Sequence, residues 1–421
     1  MKMKLISAVA GLALMACSPA LHAQERYPQG PVVHPDHTVT FSLKAPAAQD
    51  VKLEGAWPGG TARTTVPMIK GADGTWTVTS GPISPDLWTY SFRVDGVRMA
   101  DPGNMHTFQE GNISALLIPG PKSYDYELHD VPHGTVSAIW YPAPSLKLPA
   151  KRTQVYTPPG YETGTQRYPV LYLAANDHAD YIQLTRVNNI LDNLIAAGKA
   201  KPMIVVLVGT IPNAAAAPWL IDTPLPSTVG RPSRFSAELN PHGGMLTLPP
   251  YFDGGSSIAK DLVPFIDKTY RTISDREHRA VVGISAPGAA AFYAGMTNVK
   301  TFAWVAGFST GWPSLPGVWE DVPLPHDADK RFPLGGPDIR QNVNIEKLAA
   351  LLPDMNAKAN LRPVYLYQGE NDALIESHVR VKKLLDERGV KHVDIETPGY
   401  GHDWRYWAFT IDDYLKHVFV N

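Results

Sequence analysis

From about residue 36 to 118, hydrophobic and polar positions alternate in short runs. Thr38-Val39-Thr40-Phe41-Ser42-Leu43 places every second side chain on one face, and Val51-Lys52-Leu53-Glu54-Gly55-Ala56-Trp57 follows it. Gly71-Ala72-Asp73-Gly74 is a turn ahead of Trp76-Thr77-Val78. Trp88, Tyr90, Phe92 and Val94 share one face of a strand that closes at Asp95-Gly96, a hairpin dipeptide. Short alternating strands punctuated by turns predict an all-β, immunoglobulin-like sandwich. The proline-rich stretch 119–149 reads as a connection, within which Gly134 to Tyr141 begins a second sheet.

Beyond about residue 150 the pattern changes to apolar strands alternating with amphipathic helices. Strands are expected at Gln154 to Thr157, Pro169 to Ala174, Met203 to Val208, Arg279 to Ile284, Phe302 to Phe308, Val364 to Tyr367 and Val393 to Thr397. Helices are expected at Asn188 to Ala197, Ile258 to Tyr270, Pro287 to Met296, Ile345 to Leu352, Ser377 to Arg388 and Trp404 to His417. Near-continuous apolar strands separated by helices predict an α/β fold, a parallel sheet covered on both faces. The chain thus divides into a β-sandwich over 24–122 and an α/β domain over 123–421. Two Pro- and Gly-rich segments, about 210–255 and 309–342, follow strands, where loops face the ligand crevice of an open sheet. Surface decoration is the alternative.

The chemistry is carried by three loops after strands. Gly283-Ile284-Ser285 ends the apolar run 279–282 and is followed by small residues, Ala286-Pro287-Gly288-Ala289-Ala290-Ala291. This is nearly a nucleophile elbow, a tight strand-to-helix turn that exposes a serine hydroxyl, except that Pro287 replaces the last glycine of G-x-S-x-G. Taken alone, Ser285 also suits an ordinary helix N-cap. Asp372 falls in the loop after Val364 to Tyr367, and His402 in the loop after Val393 to Thr397. Ser, Asp, His is the chain order of α/β-hydrolases. Such a set lets the histidine take the serine proton while a buried carboxylate fixes its tautomer.

Charge and leader narrow the partners. Met1 to Ala23 has two lysines, an apolar stretch and a small-residue end at Leu21-His22-Ala23, the form of an export signal too short to span a membrane. A lipoprotein signal anchored at Cys17 is the alternative. Removing residues 1–23 takes away two lysines and no acids, so the formal charge passes from −2 to −4. That balance does not suit a nucleic-acid partner, and no membrane span remains in the mature chain. The mature chain would also lose its only cysteine, which excludes a thiol nucleophile. The fourteen histidines show no paired metal spacing, and no cofactor is called for. A periplasmic or secreted protein follows.

Several stretches resemble bacterial feruloyl-esterase-type carbohydrate esterases. They are Val131-Pro132-His133-Gly134-Thr135-Val136, Val155 to Tyr161, Tyr168-Pro169-Val170-Leu171-Tyr172-Leu173, Ile190 to Ile195 and Lys201 to Val206. The resemblance implies an α/β-hydrolase behind a sandwich similar to the starch-binding modules of branching enzymes. It also implies an esterase acting on feruloyl or acetyl groups of plant polysaccharide, with Ser285, Asp372 and His402 catalytic. Arg234-Phe235-Ser236-Ala237-Glu238-Leu239 is similar to a segment of siderophore esterases of the same superfamily. Two departures stand out. The family's His-Gly pair reads Ala175-Asn176, although the oxyanion donor there is backbone, from Asn176, and Asn tolerates positive φ. Pro287 disfavours helical angles at Ala286, whose N–H should be the other oxyanion donor, so Pro287→Gly is expected to raise kcat about tenfold. A weak or inactive glycan-binding homologue, or acyl transfer to an acceptor other than water, are the alternatives.

Other side chains have two readings each. Trp57, Trp76 and Trp88 form either a sugar platform or sandwich core. Trp312 and Trp404 line an aromatic acyl pocket or pack internally. Asp177 and His178, with Asp180, contact substrate or belong to a solvated loop.

Overall fold

The computed structural model describes residues 30–57, 64–108, 112–146, 148–175, 182, 185–209, 255, 257–312, 345–351 and 362–420. Ten strands come first: β1 (Val32–Val33), β2 (Val39–Lys44), β3 (Val51–Gly55), β4 (Thr64–Pro67), β5 (Ile69–Lys70), β6 (Thr75–Ser80), β7 (Asp86–Val94), β8 (Val97–Met99), β9 (Thr107–Phe108) and β10 (Ile113–Ile118). They form two sheets, β1-β2-β6-β5 and β4-β3-β7-β10-β9, with β8 hairpinned onto β7. Alternation explains the pairing of their faces. Val39, Phe41 and Leu43 of β2 and Leu53, Trp88, Tyr90 and Phe92 of β3 and β7 point inward and share one core. At the predicted hairpin, Asp95 and Gly96 both take positive φ, at 47° and 87°.

Trp57, Trp76 and Trp88 are at most 7% exposed. Their indole N–H groups donate to Ser80 Oγ, Ala45 O and Ser84 O, at 3.0, 3.0 and 2.8 Å. The sugar-platform reading is therefore wrong. Alternation turns these rings into the core, and their polar tips are satisfied there.

The third sheet comprises β11 (Thr135–Ala143), β12 (Leu148–Thr157), β13 (Val170–Ala175), β14 (Ile204–Gly209), β15 (Arg279–Ile284), β16 (Trp304–Phe308), β17 (Val364–Gly369) and β18 (His392–Thr397). Its order is β11-β12-β14-β13-β15-β16-β17-β18. β11 and β12 are antiparallel, and the ladders from β14 to β18 are parallel. Every residue of β13, β14 and β15 is buried, as expected of strands covered on both faces. The helices are α1 (Val187–Ala196), α2 (Val263–Thr269), α3 (Ser285–Thr297), α4 (Ile345–Leu351), α5 (Ile375–Glu387) and α6 (Trp404–His417). One face of the sheet packs Val170, Tyr172 and Val281 against α2, α3 and α5. The other packs Leu171, Leu173 and Val282 against α1 and α6. Because the central strands are parallel, the loops after β13, β15, β16, β17 and β18 gather at one edge.

Two helix starts differ from expectation. The predicted helix from Ile258 opens as a π-type turn, Ile258–Leu262, before α2. Pro264 in the first turn of α2 has no N–H to give, which loosens the ladder there. α3 begins at Ser285, two residues before the predicted start, so Ala286 is helical although it precedes a proline.

β12 carries a buried lysine, Lys151, 7% exposed. Burial pushes its pKa down to about 8, against partial support from Asp261. The unfolded chain therefore holds this proton more tightly, and stability rises as pH climbs from about 8 toward the ordinary lysine value of about 10.4. Lys151→Met should stabilise the protein at neutral pH by roughly 2–3 kcal/mol, with the gain shrinking at high pH. Chemical denaturation at two pH values checks this, and equal gains at both would contradict it.

Candidate active site

Ser285 joins β15 directly to α3. Its φ of 58° lies in the left-handed region, which costs a non-glycine residue of the order of 1–2 kcal/mol. The surroundings hold it there. β15 is paired on both sides, with β13 and β16, and the Gly311 N–H donates to the Ser285 carbonyl at 2.8 Å. Strand and helix pass so closely that a Cβ at Gly283 would fall 2.7 Å from the Pro287 carbonyl oxygen. A Cβ at Gly288 would fall 2.9 Å from the Gly283 carbonyl oxygen. The close approach thus demands glycine at 288, one residue after the usual place, and leaves 287 free to be proline.

Asp372 lies three residues past the end of β17, its side chain fully buried. Asp372 Oδ2 is 2.9 Å from His402 Nδ1, and its Oδ1 accepts the Leu374 N–H at 2.9 Å. Burial alone would raise this carboxyl, but attraction to His402 and these hydrogen bonds hold it below the ordinary aspartate value. His402 Nε2 is 2.9 Å from Ser285 Oγ. With Nδ1–H donated to the carboxylate, Nε2 is left to accept the serine O–H. The His402 ring is about 30% exposed, and the edge of Trp407 meets it at 5.2 Å between centroids. A hydroxyl, an imidazole and a buried carboxylate in series can deprotonate the serine as it attacks a carbonyl and can return the proton to a leaving group.

Ala286 is the second residue of α3, so its N–H has no partner within the helix and is placed to serve an oxyanion. Asn176, Asp177 and His178 lie outside the described residues, as do Asp180, Arg234 to Leu239 and the leader with Cys17. Trp404 is partly buried and packs on Trp407 at 4.7 Å, one ring removed from His402. Trp312 is not a crevice residue. It is fully buried and meets Phe292 of α3 edge to face at 4.7 Å, within the core beneath the elbow. Among the described residues, His378, Asp394 and Glu396 are the one cluster with metal-ligand spacing. Lys382 already pairs with Asp394 there, so the cluster is an ion-pair network between α5 and β18.

Helical Ala286 alters the expectation for Pro287. Because α3 already includes Ala286, Pro287→Gly has no misplaced N–H to restore. The substitution should change kcat by less than about threefold while lowering the thermal midpoint through glycine's unfolded-state entropy. Steady-state kinetics and thermal melts check it, and a gain of about tenfold or more would show a strained donor after all.

Sequence reasoning missed three side chains that shape this site. Trp407 and Arg405 sit in α6, and Tyr400 precedes His402. Arg405 Nη2 donates to the Gly399 carbonyl at 2.9 Å, closing the loop that bears His402. Tyr400 accepts the Asn371 N–H through its carbonyl at 2.8 Å.

The profile of the Esterase family matches residues 149–418, from β12 through α6. The chain belongs to the esterase family. Its fold is of the α/β-hydrolase type, and its resemblance to feruloyl-esterase-type carbohydrate esterases holds. The endo-1,4-β-xylanase/feruloyl esterase of Xylanibacter ruminicola is 28% identical over 269 residues, covering 61% of this chain and 33% of that protein. The match therefore spans about a third of that relative's length. Enterochelin esterase from Shigella flexneri superposes with a TM-score of 0.59 at 17% identity, covering 94% of this chain and 96% of that one. The ferulic acid esterase Fae1A of Anaeromyces mucronatus superposes at 0.50 with 18% identity, covering 72% and 98%. At these identities the structural likeness is one of fold. The Shigella superposition takes in the N-terminal sheets as well.

Proposed function

We propose that the chain hydrolyses carboxylic esters through an acyl-enzyme on Ser285. The observation that carries this reading is the unbroken series from Ser285 Oγ through His402 to Asp372, both links at 2.9 Å. In the first half-reaction His402 accepts the Ser285 proton as Oγ adds to the ester carbonyl. The tetrahedral oxyanion takes hydrogen bonds from the N–H groups of Ala286 and Asn176. Collapse expels the alcohol, which receives the proton from His402. Water then repeats the sequence, releasing the acid and restoring Ser285. Asp372 keeps the imidazole in the working tautomer throughout and stabilises the imidazolium.

The substrate we favour is a feruloyl or acetyl ester on plant polysaccharide or an oligosaccharide from it. The Xylanibacter relative, a xylanase/feruloyl esterase, supports this. Trp404 and Trp407 beside His402 would flank an aromatic acyl group. Residues 24–122 are proposed as an immunoglobulin-like sandwich that resembles a carbohydrate-binding module, and 123–421 as the esterase domain. Residues 1–23 are proposed to export the chain to the periplasm or medium. A second reading rests on the Shigella superposition over 94% of the chain, namely an ester of the enterobactin kind.

Assays with feruloylated arabinoxylan oligosaccharide, acetylated xylan and enterobactin separate these. Release of ferulate or acetate supports the polysaccharide reading, and cleavage of enterobactin alone supports the second. No turnover, together with no labelling of Ser285 by a fluorophosphonate, would favour a non-catalytic glycan binder.

A further inference from the structure

The loop that carries His402 rests on the N-terminal sheets. Asp86, the first residue of β7, is 1% exposed and lies against α6 and the loop before it. Tyr400 donates its hydroxyl proton to Asp86 Oδ2 at 3.4 Å. Lys122 Nζ is 3.2 Å and Arg405 Nε 4.0 Å from the same oxygen, and the Leu87 N–H is bonded to Oδ1 at 2.9 Å. The guanidinium of Arg405 lies over the Trp88 ring at 4.7 Å and over the Tyr400 ring at 4.4 Å. Lys122 lies over the Tyr400 ring at 4.5 Å. Asp403 Oδ2, at 3.6 Å from Arg405 Nη2, completes a cluster of two cations and two carboxylates.

Tyr400 is where this cluster meets the catalytic loops. It stands two residues before His402, and its carbonyl receives the N–H of Asn371, the residue before Asp372. The fit is tight enough that a Cβ on Gly369 would fall 2.6 Å from the Tyr400 carbonyl oxygen. A displacement of Tyr400 would therefore carry both His402 and Asp372. Arg405 clamps the same loop from the other end through Gly399.

We propose that the N-terminal sheets position the catalytic histidine and its carboxylate, through Asp86 acting on Tyr400 and Arg405. The proposal rests on the serine esterase reading. Asp86, Tyr400 and Arg405 are positioning residues, since none touches the reacting atoms of the series Ser285, His402 and Asp372. The N-terminal unit then sets the chemical step itself, in addition to any glycan it binds.

Full-length Asp86→Asn and Tyr400→Phe test this. The first keeps shape and drops the charge; the second drops one hydroxyl and keeps the ring. A short aryl ester serves as substrate, with active sites counted by fluorophosphonate titration. Labelling of the parent at Ser285, read first, tests the esterase reading on its own. In Asp86→Asn, kcat per titrated site should fall about tenfold or more, with KM within about twofold, because misplacing a general base acts on the chemical step. The labelling rate should fall in parallel, since that reaction uses the same base. Tyr400→Phe should move both in the same direction by a smaller factor. A cluster that only holds two domains together would lower the thermal midpoint and the fraction of active sites but leave kcat per site unchanged. Unchanged kcat per site and labelling rate in both variants would overturn the proposal.

Discussion

Ser285→Ala should lower the turnover of an aryl ester by a factor of about 10⁴ or more, the scale seen when a triad nucleophile is removed. The loss should fall on kcat, because the hydroxyl forms a bond in the transition state that it does not form on binding. The thermal midpoint should stay close to the parent's. Alanine at a φ of 58° suffers the same left-handed strain as serine, so its substitution neither relieves nor adds to it. Ser285→Gly makes the contrast informative. It should be equally inactive, yet more stable than the alanine variant by about 1 kcal/mol once glycine's unfolded-state freedom is counted. Kinetics and melts on the pair check both halves. Retained activity in either variant would remove the mechanism.

Asp372→Asn should cost a comparable factor, about 10⁴ in kcat, by a different route. An amide at this position donates to His402 Nδ1, so the ring proton moves to Nε2 and points at Ser285 Oγ. Geometry survives and the base is lost. The substitution should also change the acid limb of the stability curve. Folding holds Asp372 below its ordinary pKa, so the ionised carboxylate stabilises the protein above about pH 4. That contribution fades as pH falls through the folded value. The asparagine variant should lack it and show a flatter acid limb in denaturation experiments.

The three positions that the structure joins in series were legible in the sequence because each lies in a loop after a strand, two of those strands apolar and buried and the third, before His402, alternating and half-buried. In a parallel sheet such loops converge at one edge. Chain order then set the serine-hydrolase reading apart from chance, and most strand and helix runs of the α/β part lie within a few residues of their expected positions, although β12 begins at Leu148, six residues before the expected start. Pro287 misled because the motif fixes glycine by sequence position, whereas sterics fix it by approach. Here Gly288 meets β15. Trp312 had two readings because it follows a strand end, the same place that yields crevice residues, and it turns into the core beneath α3. The support of His402 by Asp86 was invisible, since the two contacting side chains, Asp86 and Tyr400, are 314 residues apart. Neither strand alternation nor loop chemistry reports a contact between two separately patterned sheets.

Rapid quenching of the enzyme with a slowly hydrolysed aryl ester, followed by peptide mass mapping, bears directly on Ser285 as nucleophile. The acyl mass should appear on the peptide containing Ser285, at a level approaching one per active site, and should be lost on further incubation. Steady turnover with the acyl group on another residue, or on none, would contradict it.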